Sequence, residues 1–514
     1  MKFLLNRIVC FKYIKIKQKI ICKLLTFQCN LLTDIEICLA TNLYGRYGKI
    51  IEKEGEHLNI LYLHTHDAGQ CFQPYGFPVR NPHLMWFADK ATTFRNAFCA
   101  APTCSPSRAA LLTGSSPHSC GMFGLAHHGF NGGFSLPDYS KHLVQYLNRY
   151  GYETVLCGIQ HEACDEENIG YQRKLNDVQH TDLFGRTDYK EQIGGWDIHN
   201  ANLCAAYLKE RTSTAPFFLS FGMYATHRPY PVKARQINPD FLFVPSGQPD
   251  TPDVREDMAE LHTALEITDC AVGIVLQALR EAGLEDDTVV LFTTDHGLPL
   301  PGHKCNLTDD GIAVAMMLSF PNNPMEGKAC DALVSQTDIF PTLCELAGLP
   351  CPEWVEGTSL LPVLKDGTTI HEAVFAEINY HAKPEPARCV RTQRYKYIRH
   401  YAGQQVVETG NCDPSPSKRV KMSCGWENWE QPKEELYDLV LDPQEKVNLA
   451  GLPRYQAILE QLDSLLSSWM QETGDCLPDA FPARPQTQDP VFPVFEGDYR
   501  KEFEKMMKQY ASIL

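Results

Sequence analysis

The sequence predicts an α/β fold: a mostly parallel central sheet flanked by helices, followed by a smaller C-terminal α+β subdomain. Two observations lead there. Short apolar runs ending in polar residues alternate with segments of helical periodicity, as in strand–helix–strand crossovers. After about residue 375 this texture gives way to short strand-like pieces and one helix. The chain thus divides into an N-terminal extension at 1–56, a large domain at 57–375 and a subdomain with a tail at 376–514.

The first strand is predicted over 58–63, an apolar run that ends in His64-Thr65-His66-Asp67. A buried parallel strand reads this way, and its polar C-terminal end delivers ligands to a site. A second strand follows at 94–98, then a helix from Cys104 to Gly114, with Pro106 in its first turn and glycine as its stop. Cys104 would stand at the N-terminus of that helix. Further strands are predicted at 153–157, 217–224 and 288–294. Between the last two, Leu261, Leu265, Thr268, Val272, Leu276 and Leu279 recur at helical spacing, which makes 254–282 a long amphipathic helix. The subdomain should contain strands at 394–398 and 435–439 and a helix at 455–470. Its Pro-rich, then charged, end reads as a wrapping tail.

At 514 residues the chain is long enough for this arrangement without covalent staples. A net charge of −16 argues against a broad nucleic-acid-binding surface, so an anionic substrate would need a locally basic pocket. The 20 cysteines include no C-x-x-C pair. Cys99 with Cys104, and Cys157 with Cys164, lack the spacing of common zinc sites. Reduced core cysteines point to the cytoplasm, with a secreted or periplasmic location as the alternative. Residues 1–27 are apolar and basic, but Lys12, Lys15, Lys17, Lys19 and Lys23 interrupt any signal-peptide core or membrane span there. No other segment is long and apolar enough to span a bilayer.

Cys104-Ser105-Pro106-Ser107-Arg108, backed by Leu112-Thr113-Gly114, resembles the sulfatase signature. The resemblance runs from about Leu58 to Met470 and includes 334–343 as a core helix; it looks most similar to the sulfamidase (heparan N-sulfatase) type. It implies the alkaline-phosphatase-like sulfatase fold and conversion of Cys104 to formylglycine by a maturation enzyme. The hydrated aldehyde would attack sulfur with one hydroxyl, and deprotonation of the other would release sulfate. The helix N-terminus suits the bound anion, and Arg108, one turn along, can neutralise charge.

The resemblance also implies a divalent cation, which would activate the nucleophile and bind a sulfate oxygen. Asp67, Asp295 and His296 are its ligands on this reading, with Cys104 and with His66 nearby. The family commonly has two aspartates at the first strand end and Asp-Asn at the second; this chain has His66-Asp67 and Asp295-His296. Calcium follows from the family, whereas imidazole suits manganese, zinc or iron better. His161 stands where the family has Gly-Lys-x-His, but Ile159 replaces the lysine. His227 matches the histidine that contacts sulfate and the leaving group, and is the candidate general acid. Lys304 matches a sulfate-binding lysine, His303 reads as pocket wall, and His127-His128 as a possible lining of the substrate mouth.

The substrate implied is a sulfate ester or sulfamate on a small molecule, sugar or glycosaminoglycan fragment. Asp295-His296 and Ile159 also fit a second reading, a phosphonate or phosphate-diester hydrolase on the same fold. A third is a non-catalytic sulfated-glycan-binding protein. A last is an unmodified Cys104 acting as a thiol nucleophile.

Overall fold

The computed structural model describes residues 57–475 and 477, apart from 127–132, 185, 404 and 476. The extension at 1–56, His127, His128 and the tail therefore lie outside the described residues.

Eight strands form the main sheet: β1 (Asn59–Thr65), β2 (Thr92–Phe98), β3 (Glu153–Gly158), β4 (Arg173–Lys174), β5 (Phe217–Gly222), β6 (Thr288–Thr294), β7 (Met316–Ser319) and β8 (Lys328–Ser335). Their order is β4-β3-β5-β1-β6-β7-β2-β8. Only β7 runs antiparallel to its neighbours, β6 and β2. Central strands β5 and β6 are buried at every position, as expected of strands covered on both faces.

Alternation along β1 assigns the two faces. Ile60 and Tyr62 pack on one side with Leu111 and Leu112 of helix α1 (Cys104–Thr113). Leu61 and Leu63 pack on the other with α2 (Tyr189–Glu210) and α3 (Pro252–Glu281), through side chains such as Ala201, Leu261 and Leu265. The amphipathic helix predicted at 254–282 is thus present as α3.

A second, antiparallel sheet has the order β12-β11-β10-β9, formed by β9 (Ala373–Tyr380), β10 (Pro384–Thr392), β11 (Tyr395–His400) and β12 (Glu434–Asp438). Ala376, Ile378, Ala387 and Cys389 join the first core. Val390, Tyr397 and Leu436 instead pack beneath Leu459, Leu462 and Leu466 of the last helix, Gln456–Thr473.

Two expectations change. Helix α2, of 22 residues, was not predicted; Gly194-Gly195 and its many polar residues blunt its periodicity. The helix expected over 334–343 starts later: β8 continues to Ser335, a turn follows, and the helix spans Ile339–Leu346. Ser335 and Asp338 form a reciprocal cap, with Ser335 N donating to Asp338 Oδ2 at 2.8 Å, and this sets the later start. The described cysteines are free. Among the described residues no helix is long and apolar enough to cross a membrane.

Candidate active site

Parallel pairing of β1 with β6 sets Thr65 opposite Thr294, so the residues that follow, His66-Asp67 and Asp295-His296, emerge side by side. Strand β5 lies on the other side of β1, and β3 beyond it, so His227 and His161 leave the same edge of the sheet. This convergence needs small residues. A Cβ on Gly222 would sit 2.0 Å from Ile159 O and 2.7 Å from the ring of His64. Helix α1 then carries Cys104, its first residue, and Arg108 into the same space, both buried.

Asp295 organises the centre. Its Oδ1 accepts from the backbone N–H groups of Asp67 at 2.8 Å and His296 at 2.9 Å. Its Oδ2 accepts from Arg108 Nε at 3.2 Å and Nη2 at 3.0 Å. Arg108 also donates to Thr65 O at 3.3 Å and to His64 Nδ1. His64 therefore carries its proton on Nε2, which lies 3.1 Å from Ser220 Oγ. Burial and then Arg108 hold the His64 ring far below its ordinary titration range, so it stays neutral. For Asp295, burial pushes the carboxyl up, but His296, Arg108 and His66 outweigh it and keep the group ionised.

Asp67 adopts a positive φ of 44°, which a short polar side chain tolerates best among non-glycine residues. Its Oδ1 lies 3.0 Å from His296 Nε2, and its Oδ2 accepts from Lys304 Nζ at 3.0 Å. Burial raises this carboxyl, yet Lys304, His227 and His296 together hold it well below the usual carboxylate range. Cys104 Sγ lies 3.3 Å from His296 Nε2 and 3.8 Å from Asp67 Oδ1. Burial pushes the thiol well up, reinforced by Asp295 and Asp67 and only partly opposed by Lys304. Burial thus disfavours the thiolate of an unmodified Cys104, which weighs against the thiol-nucleophile reading.

His227 Nδ1 donates to Arg228 O at 2.7 Å, so Nε2 faces Asp67 Oδ2 at 3.9 Å. Its ring stacks on Tyr224, with centroids 4.7 Å apart. His161 stands at the edge, its ring 5.7 Å from that of His66. Ile159 packs into an apolar cluster with Leu183, Ile193 and Trp196, filling the place of the family lysine with core. His303 is buried 3.7 Å from Asp310.

The predicted residues thus gather in two overlapping sets: His66, Asp67, Cys104 and His227, and Asp67, Cys104, Asp295 and His296. In each set the ligand atoms lie within 4.8 Å of one another, so this buried cluster could hold a metal ion. His66 adds an observation in favour: its ring is fully buried, Nδ1 lies 3.1 Å from Asp295 Oδ2, and Nε2 makes no hydrogen bond to any described residue. A buried imidazole with an unpartnered nitrogen beside two carboxylates is what a ligand set looks like.

Sequence reading missed three contributors. His64 orients Arg108. Asp197 accepts from Tyr224 N at 2.9 Å and Ala225 N at 2.8 Å, fixing the loop that leads to His227. Asp413 accepts from Lys304 Nζ at 3.0 Å. His64 lies at a strand end two residues from His66 and was within reach of sequence argument; nothing local marks Asp197 or Asp413.

The sulfatase family model matches residues 59–349, more than half of the chain. The chain belongs to the sulfatase family. A second model, N-sulphoglucosamine sulphohydrolase C-terminal, matches residues 303–423 of this sulfatase, the stretch that contains both Lys304 and Asp413. Human N-sulphoglucosamine sulphohydrolase is 29% identical over 480 residues, covering 82% of this chain and 92% of that protein. An ulvan-active sulfatase of Formosa agariphila is 30% identical over 457 residues, covering 82% and 76%. A solved 2-O GAG sulfatase shares the fold, with a TM-score of 0.64 at 23% identity over 87% of this chain and 100% of its own. The sulfatase is a sulfuric ester hydrolase by this membership.

Proposed function

We propose that this sulfatase hydrolyses a sulfate ester or sulfamate on a sugar or glycosaminoglycan fragment, with residue 104 as formylglycine. The observation that carries the reading is the placement of Cys104: first residue of a buried helix, against two ionised carboxylates and His296. The relatives' names, N-sulphoglucosamine sulphohydrolase and ulvan-active sulfatase, support a sugar as carrier of the sulfate.

Asp67, Asp295 and His296, with residue 104 and His66 beside them, would hold one divalent cation. Bound there, the cation would act as a Lewis acid on a sulfate oxygen and lower the pKa of the nucleophile. Calcium is the family expectation; two imidazoles beside two carboxylates favour manganese, zinc or iron. The protein's own groups do the rest. Arg108 holds Asp295 and adds positive charge behind the nucleophile. Lys304 and His161 supply cationic and polar contacts for sulfate. His227, as the imidazolium, can deliver its Nε2 proton to the leaving oxygen or nitrogen.

The test is the mass of the peptide containing Cys104, from protein made in its native host together with its formylglycine-generating enzyme. Conversion of the thiol to an aldehyde supports the reading. An unmodified thiol in a host with working maturation removes the nucleophile and favours a glycan-binding role. The imidazole-rich ligand set also suits phosphonate or phosphate diesters, and a preference for phosphodiester over sulfate-ester model substrates would move the function there.

A further inference from the structure

Most of the centre is sealed. The side chains of Asp67 and Lys304 are 0% and 2% exposed, whereas His227 and Asp413 each retain 20%. Of the residues named at this centre, these two therefore carry its solvent-facing side near Lys304. Asp413 gives Oδ2 to Lys304, and its Oδ1 accepts no hydrogen bond from any described residue. Burial raises this carboxyl, but Lys304, His227 and His381 together hold it below the usual carboxylate range.

Asp413 is held rigidly. Ser415 caps the helix Pro416–Ser423 by accepting from Lys418 N at 3.0 Å, and Lys418 Nζ donates back to Cys412 O at 2.7 Å. Ser417 donates to Asp257 of α3, which also grips Arg228 through a two-pronged contact at 2.6 and 2.8 Å. Arg228 directly follows His227. One buried carboxylate thus ties down both loops that carry the exposed groups, so the spacing between proton donor and free carboxylate oxygen is preset.

The geometry points to Asp413 as a specificity-determining residue whose free oxygen reads the group next to the scissile sulfate: it accepts a hydrogen bond from a neighbouring hydroxyl and repels a neighbouring sulfate or carboxylate. This rests on the proposed sulfate hydrolysis. Lys304, the cation in direct contact with Asp413, is already shared between Asp67 and Asp413, so it has no free valence for a second anion beside Asp413. Selection by repulsion as well as attraction is how sites discriminate between close analogues.

Three simple probes isolate the neighbour: phenyl sulfate, catechol monosulfate and catechol disulfate, whose ortho group is hydrogen, hydroxyl and sulfate. Sulfate release by formylglycine-bearing protein gives kcat/KM for each. Wild type should prefer catechol monosulfate to the disulfate by about tenfold or more. Asp413→Asn should reduce that ratio by about tenfold, and Asp413→Glu should retain it. If Asp413 serves only to hold Lys304, Asp413→Asn lowers all three rates together and leaves the ratio intact, which overturns the inference. Should Asp413→Asn fail to fold, equal wild-type rates on monosulfate and disulfate overturn it instead. Failure of fully modified wild type to release sulfate from any probe or sulfated sugar would refute the hydrolase reading itself.

Discussion

Replacing Arg108 by lysine separates charge from shape at the centre. The guanidinium makes four hydrogen bonds from a fully enclosed position: two to Asp295 Oδ2, one to Thr65 O and one to His64 Nδ1. These partners lie on the ends of β1 and β6, and only a planar fork with several donors spans them. An ammonium keeps the positive charge for Asp295 but can satisfy about half of the set. Losing two bonds to charged or buried partners costs about 3 kcal/mol, at ~1.5 kcal/mol each. Arg108→Gln removes the charge as well and leaves a buried carboxylate unpaired, which raises the loss to about 3–5 kcal/mol. Activity should fall further than stability suggests. Asp295 Oδ1 fixes the backbone of both Asp67 and His296, and ~1 Å of drift at a reacting centre costs about 100-fold. Urea unfolding midpoints at constant slope, beside kcat/KM on phenyl sulfate, give both numbers. An Arg108→Lys variant within about 0.5 kcal/mol of wild type and fully active would show that charge alone suffices and refute the fork argument.

Three further outcomes are expected. Acid should destabilise the fold from near neutrality. Burial holds His66, His142 and His381 at a pKa of about 3 against an ordinary 6.5. The unfolded chain therefore binds more protons between these limits, and stability is full above pH 6.5 and falls on acidification. Each ring contributes about 2 kcal/mol to the loss by pH 5. His142 accepts from Val144 N at 3.2 Å as a helix cap, so His142→Asn, which keeps an acceptor but does not titrate, should flatten thermal stability against pH; an unchanged slope would count against the assignment. Gly222→Ala should cost about 1–3 kcal/mol or more through overpacking, because its Cβ would meet backbone 2.0 Å away; a wild-type unfolding midpoint would contradict the close approach of β3 and β5. Chelation should abolish turnover reversibly without changing the mass at residue 104, and atomic spectroscopy of reloaded protein should find about one divalent ion per chain. Full activity of metal-free protein would remove the cation from the site.

The strands that deliver the chemistry were legible because each is a short apolar run with a polar end, a pattern that needs no partner to be seen: β1 before His66-Asp67, β6 before Asp295-His296. The helix that presents Cys104 was legible from Pro106 and Gly114, and α3 from its apolar stripe. Helix α2 was hidden by its glycines and even mixture of residues, and β7 and β9 by short or interrupted patterns whose burial comes from packing. Local sequence thus determined which candidate residues meet at the site and on which elements they ride. It could not determine the register that sets Thr65 beside Thr294, since pairing depends on the whole sheet. Nor could it place Asp413 against Lys304 across a separation of 109 residues, or turn one face of Asp413 to solvent while burying its partner. Charge pairing and burial are properties of the closed packing, and they come into being only when distant segments meet.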